Sequence, residues 1–143
     1  MYGYDITTVI VNEIRDHIIR RTGITKNKFD SDLDIINVEN GLLNMRTREL
    51  LPHTPDYYSL TQLPIQYDPE AKAPKFEKFL DDVLYPELIR TAKEIIAYTF
   101  IRKNLFQYWF VLIGNGGNGK NVFIGIITGL HGKKNVSNVP LHI

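Results

Sequence analysis

A chain of 143 residues, 43% hydrophobic and 23% charged, is long enough for a domain with its own core and too apolar for a disordered tail. It has no cysteine, which excludes disulfides and thiolate metal sites, and its four histidines (His17, His53, His131 and His142) show no ligand spacing. The net charge of +1 conceals an asymmetry: all 16 acidic residues fall at or before Glu94 against 12 of the 17 basic ones, a balance of −4, whereas residues 95–143 carry +5 and no carboxylate. A stretch of that sign suits polyanions. The apolar runs are short and interrupted and the N-terminus lacks the pattern of a secretion signal, so the expected setting is cytoplasmic, with no membrane.

In chain order, residues 5–22 read as an amphipathic helix that packs through Ile6, Ile10, Ile14 and Ile18, four apart, with Gly23 placed to end it. His17 lies beside that stripe and reads as a packing or surface histidine rather than a catalytic one. Arg15, Arg20 and Arg21 read as a solvated face rather than a nucleic-acid contact. The acidic run Asp30-Ser31-Asp32-Leu33-Asp34 starts like a calcium loop, but Ile35 stands where that loop needs glycine and Gly41 where it needs glutamate. It is better read as a linker into a hairpin.

Ile35, Ile36 and Val38, the turn signal Glu39-Asn40-Gly41 and then Leu42-Leu43-Asn44-Met45 predict paired strands, with a second turn near Arg46-Thr47-Arg48 before Leu50 and Leu51. Prolines at 52, 55, 64, 69 and 74 then forbid a long helix, and the intervening tyrosines read as packing rather than as base-stacking platforms. Phe76, Phe79, Leu80, Val83 and Leu84 mark a short helix, and Pro86 begins another that runs to about Phe100 through Leu88, Ile89, Ala92, Ile95 and Ile96. Together they predict a helical hairpin.

The apolar run Tyr108-Trp109-Phe110-Val111-Leu112-Ile113 predicts a buried strand, and directly after it come Gly114, Asn115, Gly116, Gly117, Asn118, Gly119, Lys120 and Asn121. Val122, Phe123, Ile126, Ile127 and Leu130 follow at helical spacing. Strand, glycine loop, lysine and helix in that order predict a phosphate-binding loop. The glycines let backbone N–H groups face an anion, the helix offers its positive end, and Lys120 brings a mobile charge to the terminal phosphates. Asn121 stands where a serine or threonine hydroxyl would help to hold magnesium, so the pattern supports phosphate binding better than metal-dependent hydrolysis.

Val38-Glu39-Asn40-Gly41-Leu42-Leu43-Asn44, Leu50-Leu51-Pro52-His53-Thr54-Pro55, Gln62-Leu63-Pro64-Ile65-Gln66-Tyr67-Asp68-Pro69 and the glycine loop, in that order, resemble the phage, plasmid and poxvirus primase-helicase family. The resemblance runs from about residue 35 to residue 142. It implies the amino-terminal part of an ATP-dependent DNA replication helicase. In the family a region like residues 35–100 precedes a superfamily 3 motor, whose ring of subunits draws single-stranded DNA through a basic channel. The expected partners are therefore ATP, single-stranded or forked DNA, and further copies in a ring.

By the same resemblance Lys120 would be the catalytic residue contacting the terminal phosphates. Residues 114–121 would be the nucleotide site and Asn121 a weak magnesium contact. The 22 residues from Val122 to Ile143 leave no room for the acidic magnesium strand, sensor strand and arginine finger of relatives, so the expectation is nucleotide binding without complete catalysis. The expected fold is α/β. Residues 1–34 would be an N-terminal helix and linker, 35–104 a helical and β-hairpin region, and 105–143 the first strand, loop and helix of an incomplete P-loop domain of AAA+ type. The competing expectation is a non-enzymatic DNA-binding or subunit-assembly module in which the glycine loop is only a structural turn.

Overall fold

The computed structural model describes residues 8–103 and 106–139 and shows an α/β chain with four α-helices and one three-stranded antiparallel sheet. Helix α1 (Thr8–Thr22) forms as its sequence predicts, but it buries no residue; Ile10, Ile14 and Ile18 are all about half exposed. Asp5 and Ile6 lie outside the described residues. The packing role expected of this helix is therefore not met, because its apolar stripe has no facing element among the described residues.

The sheet is local in origin. β1 (Ile35–Val38) and β2 (Gly41–Asn44) pair in the register Ile36 with Leu43 and Val38 with Gly41, and β2 continues to β3 (Leu50–Leu51). Gly41 is required at the first turn, since a Cβ there would run into the Leu51 carbonyl oxygen. The proline-rich connector lies along the free side of β1: the Leu63 amide donates to Asn37 O (2.9 Å) and the Glu39 amide to Ile65 O (2.9 Å). Asn40 pins the connector by a reciprocal pair, its Nδ2 donating to Tyr67 O (2.9 Å) while its Oδ1 accepts from the Tyr67 amide (2.9 Å). The connector so covers part of an edge that would otherwise expose unpaired backbone. Ile36, Val38 and Leu63 form a small core beneath it.

Helices α2 (Pro74–Val83) and α3 (Pro86–Thr99) each begin on a proline, whose fixed φ suits the first helical turn and whose missing N–H costs nothing there. With α4 (Lys120–His131) they enclose the second core, in which Leu80, Ala92 and Phe123 are buried and Phe76, Phe79, Ile95 and Ile127 pack around them. The two cores meet at Phe100, which touches the first and stacks on His131 of α4 with ring centroids 4.5 Å apart.

The strand predicted at 108–113 does not form. Among the described residues the segment carries no strand pairing, and Trp109 and Ile113 are 82% and 89% exposed. A lone extended segment has no ladder to satisfy its backbone and no neighbour to cover its side chains, so the run of apolar residues alone does not make it a strand. The structure therefore shows no complete P-loop domain.

Candidate functional site

Loop 114–119 leads into the first turn of α4, where the Phe123 amide closes the helix on Gly119 O at 2.9 Å. Gly117 and Gly119 adopt left-handed φ values of 75° and 80°, which side chains with a Cβ rarely take. Gly119 is also fixed by contact. A Cβ there would come within 3.0 Å of Val83 Cγ1 and 3.1 Å of Phe79 Cε2, so the loop rests directly on the end of α2. Among the described residues, Gly116 has nothing within 4 Å of the position its Cβ would take.

Lys120 turns back into this loop. Its Nζ donates to Gly114 O (2.8 Å), Asn115 O (3.0 Å) and Asn118 Oδ1 (2.7 Å), so all three ammonium donors are engaged. The Asn118 amide nitrogen lies against the Cα of Gly114, leaving no room for a Cβ at that position. The loop is thus closed on its own lysine, and a phosphate would draw Nζ away from carbonyl oxygens that bear only partial charge. Among the described residues, the amides of Gly116, Gly117, Gly119, Lys120 and Asn121 make no hydrogen bond, and no side chain caps α4. Unpaired amides, the positive end of a 12-residue helix and one ammonium group together suit an anion.

Asn121 is exposed and lies along a different face of α4, beside Ile124, Gly125 and Thr128, whereas Lys120 and Phe123 line the cleft between the loop and α3. Its neutral amide oxygen is the sole oxygen donor that its own side chain could lend a cation. Among the described residues no group of three or more histidine, aspartate or glutamate side chains gathers to hold a metal ion. The loop and the first turn of α4 thus carry no carboxylate or hydroxyl of their own to hold a magnesium ion.

The acidic run at 30–34, read as a linker, proves to be a tether. Asp30, in a left-handed conformation (φ 50°), accepts from Ser59 Oγ (3.2 Å) and the Leu60 amide (3.2 Å) and pairs with Arg102 at 3.2 Å. Arg102 also donates to Ile35 O (3.0 Å) and to the Tyr57 hydroxyl (3.3 Å). Burial pushes the Tyr57 phenol above its ordinary range, against the pull of Arg102, so it stays protonated. Asp34 is taken by Arg46 (2.9 Å) and Lys103 (3.6 Å). Nothing local in the sequence reveals this cluster, because its members lie far apart along the chain.

The sheet, its connector and the first helices are also the part of the chain that comparison recognises. A family model described as D5 N terminal like matches residues 8–85, more than half of the chain. The chain belongs to the D5 N terminal like family. This family forms the N-terminal region of phage, plasmid and viral primase-helicase replication proteins. The match begins with α1, so residues 8–34, which add little to the resemblance read from the sequence, lie within the family region; it ends at Tyr85, before the loop. Comparison with curated proteins gives no match. Among the described residues no helix is long and apolar enough to cross a membrane.

Proposed function

We propose that this chain is the part of an ATP-dependent DNA replication helicase of the primase-helicase type that presents a nucleotide-binding loop, with residues 114–121 receiving the polyphosphate and Lys120 neutralising its terminal charge. The observation that carries this reading is the loop itself. An ammonium group is folded onto two backbone carbonyl oxygens and the Asn118 amide oxygen beside unpaired amides at the head of α4. An anionic oxygen is a stronger acceptor than any of the three that Lys120 now uses. No carboxylate occurs after Glu94, so the loop and α4 contribute no acidic residue for catalysis, and the reading is binding rather than turnover by this stretch. DNA and further copies of the chain are the partners that the family points to for the whole replication protein.

The test is ATP binding by calorimetry to the native chain and to Lys120→Ala. Losing a charge-assisted contact of about 1.5–3 kcal/mol should weaken binding roughly tenfold or more. Equal binding by the two chains would remove Lys120 from the site. A second reading is favoured by the latch between Lys120 and Asn118 Oδ1, in which the loop is a structural turn only. On that reading Lys120→Ala lowers stability, and ATP binds neither chain.

A further inference from the structure

Three asparagines of the chain are followed by glycine: Asn40, Asn115 and Asn118. In such a pair the glycine amide nitrogen can attack the asparagine side-chain carbonyl, because no Cβ on the glycine hinders the ring that closes. The structure treats the three pairs differently. Asn40 is held at both ends of its carboxamide, Nδ2 donating to Tyr67 O and Oδ1 accepting from the Tyr67 amide (both 2.9 Å), and Gly41 is buried. Asn118 accepts from Lys120 Nζ at Oδ1 (2.7 Å), and its Nδ2 is packed against Gly114. A carboxamide fixed at both ends cannot swing its Cγ onto the following nitrogen. Asn115 is exposed, and among the described residues its carboxamide makes no hydrogen bond and the Gly116 amide is unpaired.

We propose that Asn115 is a site of self-modification, converted through a cyclic imide to aspartate and isoaspartate, and that Lys120 promotes the reaction. The attacking group is the Gly116 nitrogen after loss of its proton, and the negative charge of that deprotonated amide rests largely on Asn115 O. Lys120 Nζ donates to this oxygen at 3.0 Å, so a full positive charge stabilises the reactive form of the nucleophile. A solvent base takes the Gly116 proton, the nitrogen electron pair forms the bond to Asn115 Cγ, and the Cγ–Nδ2 bond breaks. Nδ2 leaves as ammonia with a proton returned from solvent. Water then opens the ring, at Cγ to give aspartate or at the backbone carbonyl to give isoaspartate, whose main chain runs through Cγ; nothing is oxidised or reduced. Either product sets a carboxylate near Lys120 in a stretch, residues 95–143, that otherwise has none. The loop then carries its own anion for the ammonium group. That change disfavours polyphosphate if the phosphate-loop reading above holds, whereas the imide chemistry does not depend on that reading.

The experiment holds the whole 143-residue chain in mildly alkaline, phosphate-free buffer and follows positions 40, 115 and 118 by peptide mapping and mass spectrometry, with aspartate and isoaspartate forms separated. In the folded chain Asn115 should convert about tenfold or more faster than the other two, and in denaturant the three rates should approach one another. Gly116→Ala keeps the loop, since its added Cβ meets no atom within 4 Å and no left-handed φ is required there, and it should suppress conversion at position 115 alone. Lys120→Ala takes the charge from Asn115 O and releases Asn118 Oδ1, so conversion should fall roughly tenfold at 115 and rise at 118. Circular dichroism checks that both variants retain their helix content. Equal rates at the three positions of the folded chain would overturn the site. A rise at both loop positions in Lys120→Ala would mean only a loosened loop and would overturn the part given to Lys120.

Discussion

His131 shows how a single side chain can report on the joint between the two cores. Its ring stacks on Phe100, its Nε2 shares a hydrogen bond with Thr99 Oγ1 (2.8 Å), and burial lowers its pKa below the ordinary value near 6.5. The fold therefore prefers the neutral imidazole. Its contribution to stability is complete above about pH 6.5 and is lost as pH falls from there through the lowered native value. His131→Gln keeps an amide for Thr99 and cannot titrate. Denaturant melts at pH 7 and pH 5 should show the native chain losing more stability than His131→Gln; equal losses would show that His131 is not the titrating group. Neither the stack nor the shared bond could be read from the sequence, where His131 looked like one of four scattered histidines. Lys120 was legible because its meaning is carried by immediate neighbours, but the role of Asn118 as the acceptor that closes the loop on Lys120 was not.

Elements whose signals are local were the ones that could be read in advance. The turn at Asn40-Gly41, the apolar stripe from Phe76 to Leu84 and the proline at 86 fix strands and helices within a few residues of themselves, and all of these form. The run at 108–113 failed for the opposite reason, since a strand exists only by virtue of a partner that its own residues do not specify. The tether of Arg102 to Asp30, Ile35 and Tyr57 is equally non-local, joining the stretch after α3 to the entrance of the sheet. Both members of the ion pair are largely shielded, with side chains 28% and 16% exposed, so their interaction counts for more than a surface pair. Arg102→Ala removes the counter-charge of Asp30, which keeps its bonds from Ser59 and Leu60, and the guanidinium donor to Ile35 O. Chemical denaturation should register a loss of about 2 kcal/mol. A change below about 0.5 kcal/mol would place this pair among ordinary surface contacts.

For the molecule as a whole, two small cores meeting at Phe100 leave the apolar run 108–113 on the outside. Trp109 is the single tryptophan of the chain and is 82% exposed, which makes it a clean probe of that run. Its fluorescence should be as accessible to acrylamide in the folded chain as in the chain unfolded by denaturant; strong protection of the folded chain would mean that the run is covered. Family membership rests on residues 8–85, whereas the proposed chemistry rests on residues 114–121, and the two are physically linked through α2, on whose end Gly119 sits. The most direct measurement of the central claim is a titration of the isotopically labelled chain with tripolyphosphate, followed through its backbone amide resonances. The signals of Gly116, Gly117, Gly119 and Lys120 should move together and saturate, while those of the sheet at 35–44 stay in place. Loop amides that do not respond at saturating tripolyphosphate would contradict the account.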